Sequence, residues 1–301
     1  MPTPILRTLH HSDFAVRRLV AAKRGRRVSV CLPARDEEAT VGHIVATVRR
    51  DLMERHPLVD EVLVVDDGST DGTAMAASRA GARVVVAEEV LADETPAGKG
   101  GKGAAMWKAV HEARGELLAF LDADVRNFGP RFVTGLVGPL LTDADLGLVK
   151  AFYDRPLQGE PGRGGRVTEL VARPLISLLF PHLSTVVQPL AGECAGRRDV
   201  LERVPFARGY GVELALLVDV SARFGIGAIA QVDIGTRIHR NRPLEELSPQ
   251  ALAIVHTALA RAGVPVRPDP LLLRPGSDPS AVATGDCPPL VDIPAYQRRT
   301  A

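Results

Sequence analysis

The chain reads as an α/β protein whose mostly parallel β-sheet is flanked by helices, and three observations predict this. Short apolar runs alternate with segments of helical spacing, the signature of βαβ units. Apolar residues make up 46% of the chain but aromatics only 4%, so the core is built from Ala, Val, Leu and Ile, as in parallel sheets covered on both faces. Polar loops follow the apolar runs, and open α/β sheets bind ligands beyond the carboxyl ends of their strands.

Residues 1–26 read as a polar, Arg-rich leader with a short helix over His11–Lys23. The first strand, Arg27–Leu32, stops at Pro33. Val41, Ile44, Val45 and Val48 then give Glu37–Leu52 a helical apolar face. Glu61–Val65 is a continuous apolar strand, Asp66–Thr73 a turn, Thr73–Ala80 a helix and Arg83–Val86 a third strand. After an irregular stretch over Glu88–Gly101, a helix is expected over Lys102–Ala113, with Met106, Val110 and Ala113 on one face. Glu116–Leu121 is the fourth strand, Phe132–Leu141 a helix and Leu146–Tyr153 a further strand. A Gly/Arg-rich loop over 157–166 leads to a helix over Val167–Leu179, kinked at Pro174. Gly192–Cys194 reads as a short strand, Gly211–Phe224 as an amphipathic helix, Ala228–Ile234 as a late strand and Ser248–Ala262 as a helix. The Pro-rich stretch 265–295 shows no period and is left without structure.

The balance of charge excludes several classes. Net charge is +1, from 37 basic and 36 acidic residues, which argues against a general nucleic-acid binder. The three cysteines, Cys31, Cys194 and Cys287, are odd in number and widely spaced, so neither a disulfide framework nor a zinc knuckle is expected. No apolar run approaches the roughly 20 residues of a membrane span, and no signal-peptide core precedes the first strand. A cytoplasmic location is the simplest expectation.

The polar residues gather at four strand ends: Pro33-Ala34-Arg35-Asp36-Glu37-Glu38, Asp66-Asp67-Gly68-Ser69-Thr70, Asp122-Ala123-Asp124 and Arg237-Ile238-His239-Arg240-Asn241. Asp71 reads as an ordinary turn cap. Asp122 and Asp124 project two carboxylates past a buried strand, where a divalent cation with oxygen ligands, Mg²⁺ or Mn²⁺, would relieve their repulsion. The plainer reading is a solvated turn. His239, set among Arg237, Arg240 and Arg242, is a candidate metal ligand or a structural histidine, and the arginines suit phosphate. Gly98-Lys99-Gly100-Gly101-Lys102-Gly103 lacks the ending of a Walker A loop. Lys102, entering a helix, is nonetheless placed for an anion. Gly164-Gly165-Arg166-Val167-Thr168 opens another helix, with free N–H groups, a guanidinium and a hydroxyl converging on a second anion. Glu213 and Glu193 are each either a partner for an acceptor hydroxyl or a buried structural acid, and Trp107 reads as packing.

These segments together resemble glycosyltransferase family 81, the glucosyl-3-phosphoglycerate synthases and the related mannosyl-3-phosphoglycerate synthases. The resemblance runs from about residue 10 to 260. It is carried most specifically by Gly165-Arg-Val-Thr-Glu-Leu-Val-Ala-Arg-Pro174 and by Ile238-His-Arg-Asn-Arg-Pro243, beside Gln188-Pro-Leu-Ala-Gly-Glu193 and Gly209-Tyr-Gly-Val-Glu213. It implies a GT-A, Rossmann-like fold divided into a leader (1–26), a nucleotide-sugar-binding half (27–153), an acceptor-binding half (154–245) and a helical, Pro-rich tail (246–301). It implies a donor site at Pro33, Ala34, Glu37, Asp67, Lys102, Asp122, Ala123 and Arg237, and Mg²⁺ or Mn²⁺ on Asp124 and His239. The acceptor falls on Gly165, Arg166, Val167, Thr168 and Asn241, with Glu213, Asp124 and Lys102 as the catalytic set. The implied reaction is retaining transfer of glucose from UDP-glucose to 3-phosphoglycerate, by a homodimer; the alternative is GDP-mannose as donor. Asp67 stands where relatives often have Ser, Arg35-Asp36 replaces a Leu-Asn-like pair and Cys194 replaces an aromatic residue. A sugar nucleotidyltransferase would want a Gly-rich basic loop after the first strand, a membrane-bound processive synthase needs spans, and a nucleotide-sugar sensor would tolerate loss of the aspartate pair.

Overall fold

The computed structural model describes residues 6–94, 100–156, 165–238 and 243–300. β1 (Arg7–His10), α1 (Val16–Lys23), β2 (Val28–Ala34), α2 (Glu38–Val48), β3 (Glu61–Asp66), α3 (Thr73–Ala80) and β4 (Arg83–Val86) come first. α4 (Gly101–Glu112), β5 (Leu117–Phe120), α5 (Arg131–Thr142), β6 (Leu148–Asp154), α6 (Arg173–Leu179), β7 (Cys194–Arg197), α7 (Arg198–Leu201) and β8 (Phe206–Ala207) follow. α8 (Val212–Phe224), β9 (Ile229–Thr236), α9 (Leu244–Arg261), β10 (Leu271–Leu272), β11 (Ser280–Ala281), β12 (Asp286–Cys287) and α10 (Pro294–Thr300) complete the chain. Eight strands form one sheet in the order β1-β9-β6-β7-β5-β2-β3-β4. All its pairings are parallel except those of β7, which runs antiparallel to both β5 and β6. The expected mostly parallel sheet flanked by helices is what forms.

The continuous apolar strands follow from burial on both faces. In β2, Val28, Val30 and Leu32 enter the core under α1, α2 and α5, while Cys31 points into the opposite core, under α4 and α8. Trp107 is fully buried in α4 and its Nε1 donates to the Pro288 carbonyl at 2.7 Å, so it packs, as expected.

Two stretches differ from expectation. Part of the stretch read as a leader is an edge strand: β1 pairs parallel with β9, Arg7 opposite Ala230. Its sequence, Arg-Thr-Leu-His, has no apolar run, because an edge strand is only half covered. The Pro-rich stretch, in turn, is built into the fold. β12 pairs with β8, Cys287 and Leu290 are fully buried, and Ile293 and Tyr296 join the same core. Pro174 lies where a π-turn over Thr168–Ala172 passes into α6, and the widened turn accommodates a residue without an N–H.

Candidate active site

A cleft of about 660 Å³ opens at the carboxyl ends of β2, β3, β5 and β6. Its wall includes Pro33, Ala34, Glu37, Asp67, Lys102, Asp122, Ala123, Asp124, Gly165, Arg166, Val167, Thr168, Glu213 and Arg237. Every site residue expected from the sequence is therefore brought together, apart from His239 and Asn241, which lie outside the described residues, as does Lys99.

The rim is stiffened by side chains that tie one loop to the next. Asp36 takes a left-handed conformation, φ 55°, and its Oδ1 accepts from the Thr70 N–H at 2.7 Å. In return the Asp36 N–H donates to Ser69 Oγ at 3.0 Å, and the Glu37 N–H donates to Thr73 Oγ1 at 2.7 Å. Thr40 Oγ1 donates to the Ala123 carbonyl at 2.6 Å, which fastens α2 to the Asp122–Asp124 turn. Asp71 accepts from the Thr73 N–H and hydroxyl, the cap expected of it. Burial pushes the Asp67 carboxyl up, against the pull of Arg35.

At the floor, charges interlock. Lys102 Nζ meets Asp122 Oδ1 at 2.5 Å and Glu213 Oε1 at 2.8 Å. Arg237 Nη2 bridges Asp122 Oδ2 and Asp124 Oδ1, 2.7 Å from each. Burial opposes charge on all of them. Lys102 and Arg237 nevertheless hold Asp122 well below the usual carboxylate range, and Asp122 with Glu213 holds the Lys102 ammonium well up. Asp124 behaves differently. Its burial, together with the nearby Asp122 and Glu193 charges, outweighs Arg237 and raises its carboxyl. A carboxylate raised by burial and like charge, beside a second aspartate, fits a hard divalent cation. Among the described residues no group of three or more His, Cys, Asp or Glu is arranged to hold an ion. Asp124 would need a further ligand, and the expected one, His239, is not described.

Glycines make this packing possible. A Cβ on Gly103 would run into the Ala207 carbonyl oxygen, and one on Gly101 would lie 3.1 Å from the Gly209 Cα. Gly101 and Gly209 both take positive φ, 68° and 64°. The start of α4 can thus approach the Gly209–Gly211 turn that leads into α8, and Lys102 meets Glu213 in the first turn of that helix.

Glu193 is wholly buried and absent from the cleft wall. It accepts from the Tyr153 hydroxyl at 2.5 Å and lies 2.7 Å from Arg237 Nε, so it is the buried structural acid of its two readings. Parts of the wall were missed, among them Arg155, one side of α9 from Glu246 to Ile254, and Ala281–Ala283. Arg155, directly after β6, obeys the same strand-end rule that singled out the other loops. Ala281–Ala283 carry no chemical signal; only their packing places them there.

The family model described as glycosyl transferase family 2 matches residues 29–204. The chain is 40% identical to glucosyl-3-phosphoglycerate synthase of Petrotoga mobilis, over 97% of this chain and 96% of that protein. The chain belongs to the glucosyl-3-phosphoglycerate synthase family. Solved structures of this family agree in fold. A crystal structure of the Mycobacterium tuberculosis glucosyl-3-phosphoglycerate synthase with Mn²⁺, UDP-glucose and phosphoglyceric acid superposes with a TM-score of 0.86 at 43% identity, covering 96% of this chain and 99% of that one. Another from that organism, with Mg²⁺ and UDP, gives a TM-score of 0.84 at 43% identity, covering 96% of this chain and all of that one. No described helix is long and apolar enough to cross a membrane.

Proposed function

We propose that the chain transfers glucose from UDP-glucose to 3-phosphoglycerate with retention of anomeric configuration, giving glucosyl-3-phosphoglycerate. The observation that carries this reading is the joining, in one cleft, of the Lys102–Asp122–Arg237–Asp124 cluster, Glu213 and the Gly165–Thr168 turn. Pro33, Ala34, Glu37 and Asp67 hold the nucleotide, and Asp122 and Ala123 lie beside ribose and sugar. Lys102 and Arg237 face the diphosphate. The Gly165–Thr168 turn holds the acceptor's phosphate, with Asn241 completing that subsite. Asp124 and His239 would hold Mg²⁺ or Mn²⁺, which when bound offsets the charge that develops on the departing diphosphate.

The chain's own residues then position and stabilise. Glu213 is buried and fixed by Lys102 at 2.8 Å, so it orients donor and acceptor in place of attacking. The acceptor hydroxyl approaches from the face that the diphosphate leaves, and a departing phosphate oxygen takes its proton. Lys102 donates to that leaving group. A homodimer and a cytoplasmic location belong to the same proposal. Leu170 and Leu178, 74% and 79% exposed and about two turns apart on the helical run into α6, offer apolar side chains to a second copy. All three cysteines are buried free thiols, which suits a reducing compartment.

The test is a matrix of four nucleotide-sugars against 3-phosphoglycerate, glycerate and phosphoenolpyruvate, with Mg²⁺ or Mn²⁺. Turnover is expected with UDP-glucose and 3-phosphoglycerate. Activity on glycerate alone would remove the purpose given to Arg166 and Thr168, and preference for GDP-mannose would move the chain to the alternative donor.

A further inference from the structure

Arg155 has a charge that the described residues do not answer. It lines the cleft just past β6, and its guanidinium makes one hydrogen bond among those residues, Nη2 to the Tyr153 hydroxyl oxygen at 2.7 Å. Its Nε is buried without a partner, and no carboxylate among the described residues pairs with it. A guanidinium stays charged at any physiological pH, and burying one without an anion is costly. The side chain is nevertheless held in place. The Tyr153 proton is committed to Glu193 Oε2 at 2.5 Å, so the hydroxyl turns a lone pair toward Arg155. Tyr153 also offers its ring to Arg155 and to Arg237, with the guanidinium carbons 5.0 and 5.5 Å from its centroid. A pre-positioned, unanswered cation in a cleft wall is a site for an anion.

Two anions are available on the proposed acceptor, a carboxylate and a phosphate. The carboxylate is bonded to the carbon that bears the attacking hydroxyl, whereas the phosphate is separated from it by a CH₂–O link. The anion nearest the transfer centre is therefore the carboxylate. Arg155 is on that side of the cleft, for it shares the Tyr153 ring with Arg237, which bridges Asp122 and Asp124 at 2.7 Å. We propose that Arg155 binds the acceptor's carboxylate while the Gly165–Thr168 turn takes its phosphate, an inference that rests on the function proposed above. Tyr153 and Glu193 are then positioning residues. They aim Arg155 at the acid on one side and back Arg237 on the other.

Calorimetry separates the alternatives, with 3-phosphoglycerate and glycerol 3-phosphate as probes in the presence of UDP and Mg²⁺. Glycerol 3-phosphate keeps the phosphate and the hydroxyl and carries CH₂OH where the carboxylate stands. Wild type is expected to prefer 3-phosphoglycerate. Arg155→Ala should lose about 10- to 100-fold in affinity for it, and about twofold or less for glycerol 3-phosphate. Arg155→Lys should restore part of the preference, and Tyr153→Phe, which leaves the cation in place, should lose a smaller part. Equal losses on both probes, or an unchanged preference in Arg155→Ala, would overturn the assignment. So would a loss confined to UDP-glucose, which would put Arg155 on the diphosphate. If wild type binds neither acid, the function proposed above falls and this inference with it. If wild type discriminates and the variants still do, Arg155 alone is misassigned.

Discussion

Gly192→Ala is the sharpest probe of the charge cluster, because it adds one methyl group and no charge. A Cβ at position 192 would come within 2.5 Å of Lys102 Nζ and closer still to both Asp122 carboxylate oxygens. Neither partner has room to withdraw freely. Lys102 is held between Asp122 and Glu213 at 2.5 and 2.8 Å, and Asp122 is also bound to Arg237 at 2.7 Å. The methyl must therefore part Lys102 from Asp122 or push Asp122 out of line with Arg237. Overpacking of this kind costs about 1–3 kcal/mol, a melting-point loss of a few degrees in a chain of this size. Displacing positioning groups by about 1 Å lowers turnover on the order of 100-fold. The assay is kcat and KM for glucose transfer, with thermal unfolding alongside. Gly227→Ala is the control, since its Cβ would meet nothing within 4 Å. If Gly192→Ala kept its kcat within about threefold of wild type, the cluster would not be the rigid catalytic floor described here.

Other outcomes follow from the same contacts. Glu213→Gln should lower kcat by about 100-fold or more through loss of the Lys102 pair, and mass spectrometry should find no glycosyl-enzyme; a trapped adduct would make Glu213 a nucleophile. Asp124→Asn should abolish the response of activity to added Mn²⁺, and chelator should silence the wild type; catalysis indifferent to chelator refutes the metal assignment. Glu61 accepts from Ser29 Oγ, the Arg114 N–H and Arg83, and these bonds outweigh burial to hold its carboxyl down. Its stability contribution is therefore complete above its unfolded pKa of about 4.3 and fades as pH falls through the lower folded value. Glu61→Gln should cost about 1.5–3 kcal/mol at neutral pH and less in acid, as urea titrations at several pH values would show; a gap that widens in acid would reverse the sign. Leu290→Ala should cost about 2–5 kcal/mol in urea unfolding, because Leu290 is fully buried; a cost below about 0.5 kcal/mol would mean that the C-terminal segment does not pack as described.

Much of this molecule is legible in one dimension. The sheet strands β2 to β6 and the helices between them show themselves because burial on two faces demands unbroken Val, Leu and Ile, and helices repeat their apolar residues every three or four positions. The polar loops at strand ends foretold the cleft for the same reason: strand direction fixes which end faces the ligand. Asp122, Asp124, Lys102 and Glu213 were named from such local context, and their convergence is visible only when the sheet is assembled.

Other features belong to the tertiary structure alone. Arg7–His10 becomes a strand because β9 offers it an edge, and β7 runs against its neighbours although its own residues say nothing of direction. The Pro-rich end has no period, yet Cys287, Leu290 and Tyr296 find a common core and Ala281–Ala283 close the cleft. Whether Glu193 is a catalytic or a structural acid depended on which partners reached it, Tyr153 and Arg237, 40 or more residues away in the chain. Periodicity records what a segment buries against its own layer. Pairing across the sheet and the meeting of distant charges are set by long-range packing, which leaves no mark on neighbouring residues.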